Sequence, residues 1–483
     1  MTKCCRRENN RVTRGARAVC LLPIAVAAEA VFAAGGEVTP VVAPEVTPYG
    51  SVAGVYSDNP DYAHSTTSSA TAVDTLAGLR VRHGGTVSTN ADLSLLYRDY
   101  VQGPFASQLL PAANARVMIT AMPQRLWLTA EDNLGQISTQ VFDALANADR
   151  QNVNFASVGP DLLLPLPARN QLDLQARYGH VTYQRSNFDD DRYSGRLGLA
   201  HLLGEYSQIS ANYDYQRIEY RRNDLYPRVD RDGFFLRFSG ETLRSFLELE
   251  GGVDGIKVGA TGQRRTVPHV SLALQRRLSS RTTLNAEYSH GYSDAGDTLR
   301  NDIRQGANPG GSLNVQPISE PFTADAGDLM LLRSGGRGVV QLRANWSQER
   351  YRQNIQLDRR VYGAELGVDY RLSPLWSLAV EAGWQHQEYL NTDVHNDRLL
   401  GTIGLTRQLG RSLQAALVAR RTHSTGNFDT DIFNENRVSL IVSYTPQGLN
   451  SKIFDPVTEF RYFDRPMRGP LSQPGSRSVP GTP

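Results

Sequence analysis

The sequence predicts an all-β protein: a large antiparallel transmembrane β-barrel of about 20 strands, with 18 as the alternative count, short periplasmic turns and longer extracellular loops. Three observations predict it. Apolar and polar residues alternate with a period of two along most of the chain. Short turns and long polar loops alternate between the resulting strands. Aromatic residues recur at a fixed spacing on one face, as Tyr362 and Tyr370 do on one strand and Trp376 and Trp384 on the next.

The N-terminus reads first as a targeting segment. A basic start (Lys3, Arg6, Arg7, Arg11, Arg14, Arg17) precedes an uncharged, mostly apolar run from Ala18 to Ala28 and small-residue cleavage options up to Ala33. That pattern is a secretory signal peptide over residues 1–33, and the run is too short to span a bilayer as a helix. The chain has 3 cysteines (Cys4, Cys5, Cys20), all in this segment, so no disulfide is expected in the exported fold. Residues 34–48, small and Pro-rich, read as a linker. The barrel is expected over 49–446, and the Pro/Gly/Ser-rich residues 447–483 as a largely disordered periplasmic tail.

Composition excludes several classes. Across 483 residues the formal net charge is +2, with 21% charged and 40% hydrophobic residues, so no polybasic face points to nucleic acid. The nine histidines are scattered without ligand spacing, and no Gly-rich phosphate loop opens a helix. No metal, cofactor or catalytic residue is expected, and the protein does not read as an enzyme. Asp189–Asp191 could offer hard oxygen ligands to calcium, but no spaced loop accompanies them, and a solvated extracellular loop is the plainer reading. His201 and His290 show no sequence partner for a hydrolytic set.

The strands follow from the alternation. Leu172, Leu174, Ala176 and Tyr178 oppose Asp173, Gln175 and Arg177; Ile209, Ala211 and Tyr213 oppose Ser210, Asn212 and Asp214. Turns such as Pro167-Ala168-Arg169, Leu278-Ser279-Ser280 and Ser373-Pro374 alternate with loops such as Asp58–Thr71, Ser138–Gln151 and Asp294–Gly327. An even strand number puts both ends on the short-turn side. So many one-sided apolar strands need an apolar partner, and no helix or second domain supplies it. Lipid does, and closure removes the edges that hydrocarbon cannot tolerate. The bacterial outer membrane is the expected location, with its lipid as a partner.

Facing then divides the side chains. Tyr362, Tyr370, Trp376 and Trp384 are expected toward lipid, as a girdle whose spacing along a tilted strand spans roughly 20 Å. Asp173, Arg177, Asp214, Glu287, Arg343, Glu365, Asp369, Arg371 and Glu381 are expected toward the lumen. The two signs balance along this wall. Such a wall suits passage of a neutral or weakly charged hydrophilic solute, and equally suits a lumen that is merely braced. The loop Asp294–Gly327 carries the same mixed charge. It reads either as an inward constriction or as surface decoration.

Two groups of segments carry a family resemblance. Val52–Tyr62 (VAGVYSDNPDY), with its Tyr-x-Asp-Asn element, resembles the first strand and loop of outer-membrane barrels from exopolysaccharide and PEP-CTERM/exosortase loci. Met122–Ile137, Asn147–Leu166 and Arg177–Leu199 are similar to inner segments of the same group. The resemblance implies a porin-like conduit that exports a polysaccharide or other hydrophilic solute, with polysaccharide and periplasmic export components as partners and no catalytic residues. The alternative is a non-conducting surface barrel acting as a receptor or as an assembly platform for an envelope export system.

Overall fold

The computed structural model describes residues 44–64, 67–138, 150–222, 226–259, 264–304, 312–313, 320–427 and 432–446. The strands run hairpin by hairpin: β1 (Glu45–Ser57), β2 (Ala70–His83), β3 (Val87–Gln102), β4 (Gln108–Met122), β5 (Leu126–Ser138), β6 (Arg150–Leu166) and β7 (Asn170–Tyr183). They continue as β8 (Asp190–Leu202), β9 (Ser207–Tyr220), β10 (Val229–Glu241), β11 (Ser245–Val258), β12 (Arg264–Arg277) and β13 (Thr282–Ser293). A helix, α1 (Ala295–Arg304), and a two-residue strand, β14 (Ser312–Leu313), follow. The last are β15 (Phe322–Ser334), β16 (Gly338–Arg350), β17 (Arg359–Arg371), β18 (Trp376–Tyr389), β19 (His395–Gln408), β20 (Leu413–Gly426) and β21 (Phe433–Tyr444).

Each strand pairs antiparallel with the next, β13 pairs with β15, and β1 pairs with β21. The result is a closed barrel of 20 strands. β14 stands apart from the ring and pairs in parallel with Gln136 and Ile137 of β5. Barrel strands run from 12 residues in β13 to 17 in β6. At about 3.3 Å per residue and a tilt of about 40°, thirteen residues rise roughly 33 Å, more than the apolar band of about 25 Å. The strands therefore cross the band and project beyond it.

Turn chemistry sets the short-turn side. Ala168 and Arg169, at φ 58° and 62°, form the mirror-image hairpin turn whose twist matches the flanking strands. The outer face is apolar through the band: Leu378, Val380 and Ala382 of β18 lie beside Leu366 and Val368 of β17 and Leu405 and Ile403 of β19. This face meets outer-membrane lipid, and the protein belongs to the bacterial outer membrane.

The seam between first and last strands is stapled by the Tyr56-Ser57-Asp58-Asn59 element. Ser57 Oγ donates to Glu435 Oε1 (2.8 Å), and Asn59 Nδ2 donates to the Asn434 carbonyl (3.0 Å). Asn436 Nδ2 donates to Asp58 Oδ2 (2.7 Å), and the Tyr62 ring stacks on Phe433 at 4.5 Å.

Three expectations need correction here. The linker expected over 34–48 overlaps β1, which starts at Glu45. Pro48 is tolerated because β21 pairs with β1 only from Gly50 onward, so the missing N–H leaves no neighbour without a donor. The loop expected from Asp294 to Gly327 ends at Phe322, where β15 begins, and contains a helix. Asp190 is not part of a solvated loop: it opens β8 and is buried. The expected signal peptide (1–33), the part of the linker before Pro44 and the tail (447–483) lie outside the described residues.

Candidate functional site

The register places the nine polar residues expected in the lumen on the inner face, but spreads them round the wall. Arg177 donates to Asp161, and Asp214 accepts two hydrogen bonds from Arg196 (2.7 and 2.8 Å). Asp173, on the same face of β7 as Arg177, accepts from Gln175 (3.4 Å). Glu287 lies opposite Asp328, which Arg343 engages, and Arg343 also faces Glu365 across β16–β17. Asp369 lies opposite Ala379, Arg371 opposite Ser377, and Glu381 opposite Gly367 and Thr402. Glu287, Arg343 and Glu365 lie close together on the run of strands β13, β15, β16 and β17. Tyr362, Tyr370, Trp376 and Trp384 occupy the outer face, all exposed.

The residues that do converge were missed by sequence reasoning, because they meet through α1. The helix begins after Asp294, whose Oδ1 accepts from the N–H groups of Gly296 (2.8 Å) and Asp297 (3.1 Å). This is an aspartate N-cap, and Asp297 adds a negative charge in the first turn. The signal, Asp-x-x-Asp with Arg300 and Arg304 near the end, was present in the sequence. Ala295 packs onto Ile137, Val153, Phe155, Val181 and Tyr183, an apolar patch on the inner ends of β5, β6 and β7. The chain therefore leaves β13 and crosses the lumen to the wall at β5 and β6. There β14 adds to the free upper edge of β5.

Arg192 of β8 is the centre of the junction. Its side chain is 4% exposed. It donates through Nε to Asp190 Oδ1 (2.6 Å) and through Nη2 to Asp190 Oδ2 (3.1 Å). Residues two apart on a strand share a face, so Asp190 and Arg192 chelate locally. The same guanidinium reaches Asp294 (2.8 Å) and Asp297 (3.3 Å). Arg231 of β10 lies 3.9 Å from Asp297 and 3.1 Å from Asp254. At the far end Arg300 Nη2 donates to Glu131 Oε2 of β5 (2.9 Å), and Arg192 and Arg300 both lie over the Phe155 ring. Gly296 is required here, since any Cβ would collide with the Arg192 guanidinium.

Burial alone would raise both α1 carboxyls. For Asp294 the Arg192 charge and hydrogen bonds outweigh burial and hold its pKa below 3.8. For Asp297 burial and the neighbouring Asp294 charge prevail over Arg192, Arg231 and Arg300, and its pKa rises.

Beside α1 the lumen holds a cavity of about 560 Å³, bounded by Thr298 of α1 and by Arg231, His269, Glu287, Asp328 and Arg343 of the wall. His269 stacks on Phe235 at 5.0 Å and sits between Asp254 (Nδ1 to Oδ2, 3.1 Å) and Glu250 (Nε2 to Oε2, 3.1 Å). Both ring nitrogens are thereby within hydrogen-bonding reach of a carboxyl group.

The other candidates disperse. Asp191 faces outward to Tyr178 and His180, while Asp190 faces inward, so Asp189–Asp191 cannot converge on one cation. His290 pairs with Asp325 and His201 with Asn170, both on the outer face.

No protein-family model matches the chain, and no curated protein matches it. Solved structures of similar architecture include the FrpB iron transporter from Neisseria meningitidis, at 10% identity and a TM-score of 0.42, covering 83% of this chain and 82% of that one. Another is the copper transporter OprC, at 11% identity and a TM-score of 0.41, covering 83% and 80%. A third is the ferric enterobactin receptor PfeA from Pseudomonas aeruginosa, at 10% identity and a TM-score of 0.43, covering 82% and 80%. The class these observations define is an outer-membrane β-barrel.

The expected porin-like conduit for an exported polysaccharide is corrected. α1 crosses the lumen that such a polymer would need open, held to the wall by Arg192 and Arg300. Polysaccharide and export components fall as partners with it, whereas lipid contact stands on the outer face.

Proposed function

We propose that this barrel is a surface receptor of the outer membrane, binding a small hydrophilic ligand in the chamber beside α1. The observation that carries the reading is the docking of α1 across the lumen through the buried Arg192, which bonds wall and helix at once. A chamber of about 560 Å³ supports it further, since small-molecule sites commonly occupy about 300–1,000 Å³. Its wall offers both charge signs, Glu287 and Asp328 against Arg231 and Arg343, beside the His269 ring, which suits a ligand carrying both hydrogen-bond donors and acceptors. Planar-bilayer recording of the refolded barrel tests the reading. A docked α1 gives no large steady conductance, and a steady open-pore current from the unmodified protein would refute it.

A further inference from the structure

The short-turn end of the barrel has a charge pattern unlike the rest. On the wall and at the mouth arginines are paired: Arg98 with Asp74, Arg196 with Asp214, Arg237 with Glu250, Arg359 with Glu349. The short turns from β10 to β20 instead carry arginine after exposed arginine. Arg244 stands in the β10–β11 turn, and Arg276 and Arg281, Arg333 and Arg337, and Arg407 and Arg411 flank three others; Arg371, at the β17–β18 turn, belongs to the inner face. Glu241 is the acid exposed in those turns, and none of these arginines has a carboxylate partner among the described residues. An unpaired row of like charge is held in place by the hairpins that carry it, and the described residues supply no counter-charge for it.

Three features say what that counter-charge belongs to. First, Arg333 and Arg407 project from the lipid-contacting face: their register partners are the outward Val340 and Trp376, and the Arg407 guanidinium lies 5.4 Å from the Trp376 ring centre. Second, leucines stand exposed among the arginines, Leu243 at 97%, with Leu278, Leu372, Leu375 and Leu409 about half exposed. Third, the turns repeat one construction. The N–H of Leu278, Leu372 and Leu409 donates to the carbonyl four residues on, which presents a leucine at each tip with an arginine within two positions of it. Arginine stems lying along apolar surface with guanidinium groups at its boundary, interleaved with leucine, match a bilayer interface rather than open solvent.

We propose that this arc is a docking surface for the phosphates of anionic phospholipids in the periplasmic leaflet of the outer membrane. The planar guanidinium forks bind phosphodiester oxygens, and the leucines enter the headgroup–acyl boundary. The arc thereby sets the depth of one half of the barrel. It is independent of the receptor reading and of α1.

The test uses the full chain refolded into phosphatidylcholine vesicles with and without phosphatidylglycerol. Two readouts are taken: lipid retained in native mass spectra after extraction, and the thermal midpoint. The unmodified protein should retain phosphatidylglycerol preferentially and gain thermal stability from it. Arg333→Gln/Arg337→Gln/Arg407→Gln/Arg411→Gln should fold normally in phosphatidylcholine yet lose at least about fivefold of the preference, the worth of about one interfacial arginine. If the fourfold variant fails to fold, Arg407→Gln/Arg411→Gln alone should show a smaller loss in the same direction. Arg217→Gln/Arg221→Gln, at the opposite end, should keep the preference. Absence of preference in the unmodified protein, or its survival in the fourfold variant, overturns the proposal and leaves an acidic periplasmic protein as the occupant of the arc. Equal loss in the Arg217/Arg221 variant overturns it too.

Discussion

Replacing Arg192 with methionine should release α1 from the lumen wall while leaving the barrel closed. The side chain is 4% exposed and its cation serves Asp190, Asp294 and Asp297 together. Removing one partner of a buried ion pair costs about 3–5 kcal/mol, because the remaining charges are left uncompensated in a poorly solvated site. Two of the three carboxylates belong to the α1 segment, so most of that cost falls on its docking. Of the ionic contacts that remain, Arg300 to Glu131 is partly exposed and contributes about 1 kcal/mol or less, and Arg231 reaches Asp297 only at 3.9 Å. A loss of about 3 kcal/mol shifts the docked-to-undocked ratio by more than about 100-fold. Trypsin cleavage at Arg300 in the refolded barrel reads this ratio directly where opening and closing are fast relative to cleavage. The cleavage rate should rise by about that factor in Arg192→Met and hardly change in Arg196→Met, whose partner is Asp214 on the wall. Cleavage of Arg192→Met at the unmodified rate would refute the clamp.

Two further outcomes follow from the geometry. Val380→Arg places a charge among Val368 and Ile403 on the outer face and should destabilise the folded barrel by about 2–4 kcal/mol, whereas Glu381→Arg, on the inner face, should be tolerated; equal losses in urea titration would reverse the facing. The docking of α1 should depend on pH in two opposite steps. Asp297 has its pKa raised, so its ionisation opposes docking, and docking strengthens as pH falls through that raised value. Asp294 has its pKa lowered, so its contribution is present above 3.8 and is lost as pH falls through the depressed folded value. Hydrogen exchange of the α1 amides, corrected for intrinsic pH dependence, should first slow and then accelerate on acidification, and Asp297→Asn should abolish the slowing.

The sequence by itself determined the barrel. A strand has a period of two whatever surrounds it, so Leu378, Val380 and Ala382 are sorted from Glu381 by local geometry alone, and short turns alternating with long loops define up-and-down hairpins without further information. It also carried the capping signal of α1 in Asp294 and Asp297, though helical order there stood out less than the alternation around it. Only the tertiary structure decided where that helix goes. Arg192 and Asp297 are 105 positions apart, and Ser57 and Glu435 at the seam are 378 apart. No periodicity links such pairs. They meet because ring closure sets β5, β8, β10 and β13 around one lumen, where charges from remote segments must neutralise one another or remain in contact with water. For the same reason the balanced inner wall could be read as an open path or a braced one, and it was the crossing of the lumen by α1 that distinguished them.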